Sequence, residues 1–457
     1  MNAQQYFEFL KEKTVTFCGI ARSHMPVIEL FHQKGISVTA RDKNPLEKLG
    51  ENGRRLQELG VKMILGEAYL DDLTEDIIFR TPAMRYHLPE LEAARKRGAA
   101  VTSEMETFFT LCPCKIYAVT GSDGKTTTTT VISEFLKAQG KKVHLGGNIG
   151  RPLLPEIESI DPEDCAVVEL SSFQLISMRV SPDVAVVTNL APNHLDVHKD
   201  MQEYIDAKRN VFLHQGAYSR TVLNADNDIT ASFARDVRGD CWSFSRQKAV
   251  QRGVWCNGEN VYVNQELLMP ISKIKIPGWH NVENYMAAIA AVWGDVSPEV
   301  IRKVAAEFGG VEHRAELVKE LHGVRWYNDS IASSPSRTIS GTLSLYDQKI
   351  ILICGGYDKH IPYDPLGPKI CEKVKSLILM GATADKIEAA VVNSKNYVNE
   401  SPAILHVDNM QAAVETAQKL AVEGDIVSLS PASAAFDLYP NFEVRGRHFK
   451  EIVNALN

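Results

Sequence analysis

One stretch near the first quarter of the chain constrains the fold most strongly. It begins with the apolar, β-prone run Ile116-Tyr-Ala-Val119, turns through Gly121 and Gly124, and continues from Lys125-Thr126 into a helical pattern that ends near Gln139. A strand, a glycine-containing turn and a helix in this order form the setting of a phosphate-binding loop. There, backbone N–H groups and the positive end of the helix dipole surround phosphate oxygens. The stretch therefore predicts a nucleotide-binding α/β domain.

The residue types in this loop fit phosphate chemistry. Lys125 is placed to reach the β- and γ-phosphates of a nucleotide, and the Thr126 hydroxyl is placed to bind Mg²⁺. The general pattern has a further glycine where this chain has Val119, so the loop is a variant. The alternative is an ordinary glycine turn before a helix, and the flanking strand and helix favour phosphate binding over it.

Composition sets the class of protein. The chain has 457 residues, of which 44% are hydrophobic, which is enough for about three domains with their own cores. No apolar run approaches the ~20 residues of a membrane span, and the first residues lack a secretory pattern. The net charge of −7 without a basic stripe argues against nucleic acid binding, and eight scattered cysteines predict reduced thiols. We expect a soluble cytoplasmic protein.

Alternating strand and helix patterns predict an α/β fold with boundaries near residues 110 and 310. The predicted domains are 1–110, 111–310 and 311–457. The first opens with a strand, a helix and a second strand that ends in Asp42, as in a Rossmann-like unit. Only Gly19 remains of a G-x-G-x-x-G fingerprint, so NAD binding is not favoured.

Polar residues follow several strands of the central segment. Glu169 ends the buried strand Cys165–Glu169 and is a candidate Mg²⁺ ligand, with a surface acid as the alternative. His194 follows the strand Val184–Thr188 as a metal or phosphate contact or a structural histidine. Asn281 and Asn284 share one helical turn, where their amides suit the edge of a flat heterocycle. Helix capping alone also explains Asn281.

The chain resembles the Mur ligase family over nearly its full length. The sequence motifs that carry this resemblance occur in the same order as in the family. They are Thr120-Gly-Ser-Asp-Gly-Lys-Thr126, Gly146-Gly-Asn-Ile-Gly150, Glu169-Leu-Ser-Ser-Phe-Gln174, Asn193-His194, Ala207-Lys208, His280-Asn281 with Asn284, His313-Arg314, Asn328-Asp-Ser330, Gly355-Gly356 with Lys359, and Ser430-Pro-Ala432.

This resemblance implies three domains: a Rossmann-like N-terminal domain that binds a UDP-linked substrate, a central P-loop ATPase domain and a Rossmann-like C-terminal domain. It implies ATP-dependent amide bond formation through an acyl phosphate and a tetrahedral intermediate. These motifs most resemble those of the family members that add D-glutamate to UDP-N-acetylmuramoyl-L-alanine in peptidoglycan synthesis. The resemblance also implies ATP and two Mg²⁺ ions as cofactors, and a monomer.

The resemblance also assigns roles to individual residues. Those implied to bind ATP are Gly121, Ser122, Asp123, Gly124, Lys125, Thr126, Thr127, Asn281, Asn284, Arg314 and Asp329. Those implied for the UDP-linked substrate are Asp42, Thr81, Asn148 and His194, and those for D-glutamate are Ser333, Lys359 and Phe442. Lys125, His194 and Lys208 are the implied catalytic residues, and Thr126, Glu169, His194 and Lys208 the implied metal ligands. Lys208 matches a carbamylated lysine of the family, with a solvated helix lysine as the alternative.

The chain departs from the family pattern at three positions, of which the first two, Ile331 and Ala435, are on the side of the amino acid. Ile331 stands where the family has a lysine, Ala435 where it has a serine, and Asn193 where an acid often precedes the metal-binding histidine. Alternatives are therefore a Mur-type ligase for another amino acid, a folylpolyglutamate synthetase, a plain P-loop ATPase, or a non-catalytic nucleotide-binding protein of the same fold. The N-terminal UDP-type domain argues against the folate enzyme, and the retained metal-binding residues argue against loss of catalysis.

Overall fold

The computed structural model describes residues 1–20, 23–192 and 197–457. Their secondary structure is three β-sheets with flanking helices, which confirms the predicted α/β class. The described chain divides into two compact units, residues 1–273 with 282–304, and residues 274–281 with 305–457. The division into domains at residues 110 and 310 stays a prediction. No helix among the described residues is long and apolar enough to cross a lipid bilayer.

The first sheet is entirely parallel and has the strand order β3-β2-β1-β4-β5. Its strands are β1 (Val15–Cys18), β2 (Val38–Asp42), β3 (Lys62–Leu65), β4 (Ile77–Arg80) and β5 (Ala100–Thr102). Its helices are α1 (Ala3–Lys11), α2 (Met25–Gln33), α3 (Leu46–Glu58), α4 (Pro89–Lys96) and α5 (Glu104–Leu111). Because β1 lies between β2 and β4, the order in which strands are added to the sheet reverses at β1. In sheets of this type, a crevice lies at the carboxyl ends of the strands at such a point.

The second sheet has nine strands in the order β14-β13-β12-β11-β10-β9-β6-β8-β7. Its strands are β6 (Lys115–Thr120), β7 (Val143–Gly147), β8 (Cys165–Glu169), β9 (Val184–Val187), β10 (Arg220–Asn224), β11 (Asp240–Ser245), β12 (Gly253–Cys256), β13 (Asn260–Val263) and β14 (Glu266–Pro270). The helices are α6 (Lys125–Ala138), α7 (Ser172–Leu175), α8 (Met201–Leu213), α9 (Asp228–Ser232), α10 (Trp279–Val292) and α11 (Pro298–Glu307). The strands β12 to β14 pair antiparallel and extend one edge, as the short strands of this segment predict.

The core of this sheet explains its parallel strands. Strand β6 is buried from Ile116 onward, and β8 and β9 are buried at every position, so each carries a continuous apolar run. Such runs are typical of parallel strands that helices cover on both faces. Strand β6 lies between β8 and β9, so its carboxyl end is again a point where the strand order reverses.

The third sheet has the order β15-β16-β20-β17-β18-β19, and only the pair β15 and β16 is antiparallel. Its strands are β15 (Glu316–Leu321), β16 (Val324–Asn328), β17 (Ile350–Cys354), β18 (Val374–Leu379), β19 (Ala403–His406) and β20 (Ile426–Leu429). The helices are α12 (Pro335–Ser340), α13 (Thr342–Leu345), α14 (Leu366–Lys373), α15 (Ala384–Val392), α16 (Met410–Leu420) and α17 (Phe442–Ala455).

Candidate active site

The phosphate loop lies between the end of β6 and the start of α6. Gly121 has φ of +149° and Gly124 has φ of +77°, both in the region that favours glycine. A Cβ atom on Gly121 would lie 1.9 Å from Thr188 Oγ1, and one on Gly124 would lie 2.3 Å from Asn284 Oδ1. These two glycines are therefore required by both backbone conformation and close packing.

Residues that follow β9 form hydrogen bonds with the phosphate loop. The Asn189 side-chain oxygen accepts a hydrogen bond from Asp123 N at 2.9 Å, and Thr188 Oγ1 donates to Asp123 O at 2.6 Å. Ser122 Oγ donates to Ala191 O at 3.0 Å. The sequence prediction did not single out Thr188 and Asn189, although their position directly after a strand of this sheet indicates such a role.

Glu169 is hydrogen-bonded to residues of two other predicted motifs. Its carboxylate accepts a hydrogen bond from Thr126 Oγ1 at 2.7 Å and another from Asn148 Nδ2 at 2.8 Å. Glu169 is buried at the end of β8, and the side chain of Lys125 donates to Ser122 O at 2.9 Å within the loop. A hydroxyl and a carboxylate side by side at the start of a phosphate-binding helix are hard oxygen donors of the kind that Mg²⁺ prefers, so these residues fit that ion.

Lys208 points from α8 toward the base of the phosphate loop. Its side chain is buried, and Nζ donates to Gly121 O at 2.9 Å and to Thr120 Oγ1 at 3.1 Å. Burial lowers the pKa of Lys208 well below its ordinary value, and the positive charge of Lys125 lowers it further. An unmodified lysine offers no anionic oxygen to a metal, so Lys208 fits a metal site only as a carbamate.

The predicted residues His194 and Asn193 lie outside the described residues. His198, which follows them, is buried, with Nε2 2.9 Å from Ser172 Oγ and Nδ1 3.1 Å from Glu203 Oε2. Its ring stacks on Phe173 with an interplanar angle of 5°. His198 therefore links the residues just before α8 to α7 and to Glu203 of α8, a role that the sequence analysis did not predict.

The residues predicted for the UDP-linked substrate lie at the carboxyl edge of the first sheet and beside Glu169. Asp42 Oδ2 accepts a hydrogen bond from Ile20 N at 2.7 Å. Thr81 follows β4 and crowds Gly19 so closely that a Cβ there would lie 2.5 Å from Thr81 Cγ2. Asn148 lines a cavity of about 210 Å³ together with Pro82 and other residues of this unit.

Two buried charged residues of this unit were not predicted: Glu104, which lines the cavity, and Arg80. Glu104 accepts hydrogen bonds from Leu153 N at 3.2 Å and Leu154 N at 3.1 Å, and burial raises its pKa to about 7. Arg80 donates to Phe173 O at 2.9 Å and to Ser177 Oγ at 3.0 Å. Both join the first sheet to segments of the second, a long-range pairing that no local sequence pattern indicates.

The amide pair predicted for a nucleotide base shows two different environments. Asn281 Nδ2 donates to Pro277 O at 2.6 Å, an interaction at the start of α10 that agrees with capping. Asn284 Oδ1 accepts a hydrogen bond from Thr128 Oγ1 at 3.3 Å and lies close to Gly124. Asn284 therefore adjoins the phosphate loop, and Thr127 is buried in the first turn of α6.

In the second unit, Asp329 lies in a closed network after β16. Its Oδ2 accepts hydrogen bonds from Thr342 Oγ1 at 2.6 Å and Ser430 Oγ at 3.2 Å, and Oδ1 accepts from Ala315 N at 3.2 Å. Burial raises the pKa of Asp329 to about 6, against the opposing effect of these hydrogen bonds and of the Arg314 charge. Arg314 itself is exposed in a tight turn with its N–H bonded to Val311 O.

The residues predicted for the amino acid come from three segments of the second unit. Lys359 Nζ donates to Ser333 O at 3.3 Å, so these two lie together. Phe442 begins α17, packs its ring edge against His313, and accepts a hydrogen bond at its carbonyl from Ser330 Oγ at 2.8 Å. The departures from the family pattern, Ile331 and Ala435, lie in the loops after β16 and β20.

Arg445 was not predicted, yet it organises these loops. Its guanidinium is buried and donates to Ser330 Oγ at 3.0 Å, Ser330 O at 2.9 Å, Ser433 O at 3.2 Å and Ala434 O at 3.0 Å. Burial lowers its pKa to about 10, which leaves it charged at neutral pH. The only local indication in the sequence is its place on the amphipathic helix α17.

Comparisons with known proteins identify the family of the chain. Two family profiles match, Mur ligase middle domain over residues 119–292 and Mur ligase, glutamate ligase domain over residues 313–433. The chain is 53% identical over 454 residues to UDP-N-acetylmuramoylalanine–D-glutamate ligase of Acetivibrio thermocellus, covering 98% of this chain and 97% of that protein. It is 47% identical over 456 residues to the ligase of the same name in Clostridium kluyveri, covering 100% and 99%.

Solved structures show the same fold at low sequence identity. UDP-N-acetylmuramate-alanine ligase of Thermotoga maritima has a TM-score of 0.56 at 18% identity, covering 97% of this chain and 99% of that one. UDP-N-acetylmuramoyl-L-alanyl-D-glutamate–2,6-diaminopimelate ligase has a TM-score of 0.58 at 18% identity, covering 83% and 93%. The resemblance found in the sequence is thereby confirmed, and the chain belongs to the Mur ligase family.

Proposed function

We propose that the chain is an ATP-dependent ligase that adds D-glutamate to UDP-N-acetylmuramoyl-L-alanine in the synthesis of peptidoglycan precursors. The relatives named for D-glutamate ligation support the substrate, because they match the chain over nearly its full length. The observation that carries the chemistry is the contact of 2.7 Å between Thr126 Oγ1 and Glu169 Oε2 beside the glycine loop. It places hard oxygen donors where a nucleotide phosphate is held.

The reaction has two steps. A carboxylate oxygen of the UDP-linked substrate attacks the γ-phosphorus of ATP, the bond to the bridging oxygen breaks, and ADP leaves an acyl phosphate. The amine of D-glutamate then attacks the acyl carbon, loses a proton, and phosphate departs from the tetrahedral adduct to leave an amide. Phosphoryl transfer requires mainly positioning and stabilisation of developing charge. The loop N–H groups and Lys125 supply both to the β- and γ-phosphates.

Thr126 and Glu169 would hold one Mg²⁺ ion, and His194 with Lys208 would hold a second. Bound Mg²⁺ neutralises charge on the phosphates during transfer. Ser122, Asp123 and Lys125 keep the loop around the phosphates, and the hydrogen bonds that Asp123 makes with Thr188 and Asn189 support this assignment.

Lys208 acts as a carbamate. Its lowered pKa favours the neutral amine, whose nitrogen attacks CO₂, forms an N–C bond and releases a proton. The product is an anion, which exchanges an unfavourable buried cation beside Lys125 for a group with oxygen donors. The buried position beneath the phosphate loop supports this assignment.

The remaining contacts follow the same division. Asn281, Asn284, Arg314 and Asp329 bind the rest of ATP, Asp42, Thr81, Asn148 and His194 bind the UDP-linked substrate, and Ser333, Lys359 and Phe442 bind D-glutamate. Three domains, 1–110, 111–310 and 311–457, carry these functions. The protein acts as a monomer in the cytoplasm, where ATP is available.

Phosphate release from Mg²⁺-ATP tests this function. The assay contains UDP-N-acetylmuramoyl-L-alanine and one member of a panel of D- and L-amino acids, with Lys125→Met as the inactive control. We expect stoichiometric release with D-glutamate alone. Release with another amino acid identifies a ligase of different specificity. Ile331 and Ala435, which depart from the family pattern, would then be the first residues to test for that specificity. No release with any amino acid, despite nucleotide binding, contradicts the ligase and supports a non-catalytic protein.

A further inference from the structure

Two cationic side chains reach the same short loop in the second unit. This loop comprises residues 331–336, so it follows Ser330 and includes the first two residues of α12. Lys359 Nζ donates to Ser333 O at 3.3 Å, and Arg337 Nη1 donates to Ile331 O at 3.5 Å. Ser333 N also donates to Ile331 O, at 2.8 Å, so the two cations contact backbone carbonyls two residues apart in one tight turn.

Neither cation has a carboxylate partner among the residues that the structure describes. Lys386, close to Lys359 in the fold, shows the contrast, because it pairs with Asp358. Both Arg337 and Lys359 are exposed, and each carbonyl contact is long for a charged donor. Such contacts are easily exchanged for a carboxylate, which a guanidinium binds through two parallel N–H groups.

The loop itself is held firmly from below. The buried Arg445 guanidinium binds both the hydroxyl and the carbonyl of Ser330, and it also binds the carbonyls of Ser433 and Ala434. Ala332 N donates to Asp329 O at 2.9 Å, which fixes the next peptide. Both exposed cations therefore lie beside one fixed segment of backbone, from which either can turn to a ligand.

This inference rests on the proposed function, because its ligand is the amino acid of that reaction. D-Glutamate brings two carboxylates, and both remain unreacted when its amine forms the new amide. Ile331 adds no charge to the loop, so Lys359 alone would leave one carboxylate without a cation. We propose that Arg337 is a specificity-determining residue that binds one carboxylate of D-glutamate, while Lys359 binds the other.

The test compares Arg337→Gln and Arg337→Lys with the unmodified protein. An exposed arginine on α17, Arg447, provides the matched control Arg447→Gln. The measurement is KM for D-glutamate and for ATP, followed by kcat/KM with D-glutamine and D-isoglutamine, each of which lacks one carboxylate charge. Thermal unfolding checks that the variants fold.

We expect Arg337→Gln to raise KM for D-glutamate by about tenfold to a hundredfold, the usual effect of losing a hydrogen bond to a charged group, with KM for ATP nearly unchanged. Arg337→Lys should restore part of that loss, since it restores charge without the bidentate fork. Arg337→Gln should also lose the discrimination against one monoamide, and Lys359→Gln the discrimination against the other. Arg447→Gln should behave as the unmodified protein.

The outcomes separate this inference from the function on which it rests. If the unmodified protein uses D-glutamate and Arg337→Gln has an unchanged KM for it, the assignment of Arg337 is overturned and the ligase stands. Equal loss with D-glutamate and both monoamides also overturns the assignment, because a carboxylate contact must be lost from only one analogue. If the unmodified protein does not use D-glutamate, the proposed function and this inference fail together.

Discussion

At the scale of single residues, the phosphate site depends on a buried carboxylate with two different partners. Glu169 accepts hydrogen bonds from Thr126, on helix α6, and from Asn148, directly after β7. Its negative charge lies inside the fold without a described salt-bridge partner among residues 1–20, 23–192 and 197–457. A bound Mg²⁺ would supply the compensating positive charge, which gives Glu169 a measurable role in metal affinity.

Glu169→Gln should raise the Mg²⁺ concentration for half-maximal activity by about tenfold or more, because it keeps the side-chain shape and removes the anionic oxygen. The measurement is a Mg²⁺ titration of ligase activity at saturating ATP. Exposed Glu163 provides the control variant Glu163→Gln. An unchanged Mg²⁺ requirement in Glu169→Gln would exclude Glu169 as a ligand.

Lys208 should carry ¹³C label after equilibration with ¹³C-bicarbonate at neutral pH. Burial lowers its pKa, so the neutral, reactive amine is accessible, whereas acidification protonates the amine and releases CO₂. The carbamate signal in the ¹³C spectrum should therefore decline as pH falls, together with activity. Lys208→Ala should lack the signal and lose activity, and a short carboxylic acid should restore part of the activity. A spectrum identical to that of Lys208→Ala would contradict the carbamate.

At the scale of elements, the turn between β6 and α6 couples backbone conformation to nucleotide binding. Gly124 has positive φ, and its Cα faces the side chain of Asn284 on α10. Gly140, just after the other end of α6, also has positive φ, at +91°, but a Cβ there would meet nothing within 4 Å. The same helix therefore offers a test glycine and a matched control.

Gly124→Ala should weaken ATP binding by about tenfold or more, because a strained residue costs on the order of 1–3 kcal/mol and the new methyl must also displace Asn284. Gly140→Ala should reduce the free energy of unfolding by about 1 kcal/mol and leave ATP affinity unchanged. Calorimetric titration with ATP and denaturant unfolding measure the two effects. Equal ATP affinity in both variants would show that the close approach to Asn284 is unimportant.

At the scale of the whole molecule, sequence patterns predicted what local periodicity determines. The apolar runs of β6, β8 and β9 predicted buried strands of an α/β domain, which the structure confirms, and the glycine turn before α6 predicted a phosphate loop. Arg80, Glu104 and Arg445 could not be predicted, because each is buried by partners distant in sequence. Burial of such a charge depends on tertiary pairing, which a single sequence without local periodicity does not reveal.

Glu104 gives the whole molecule a pH dependence of stability. Burial raises its pKa from an ordinary value near 4.5 to about 7, so the folded state holds this proton more tightly than the unfolded state. The resulting stabilisation is fully present below pH 4.5 and is lost as pH rises to about 7, by about 3 kcal/mol. Glu104→Gln keeps an oxygen for the amides of Leu153 and Leu154 and removes the titration.

Relative to the unmodified protein, Glu104→Gln should therefore be more stable at pH 8 and should lose that advantage near pH 4.5. The measurement is urea unfolding of both proteins at several pH values, because their difference cancels every other titrating group. Glu163→Gln, at an exposed position, should show no such pH-dependent difference. A difference that is constant with pH would mean that Glu104 titrates alike in both states, and that its burial does not hold the proton.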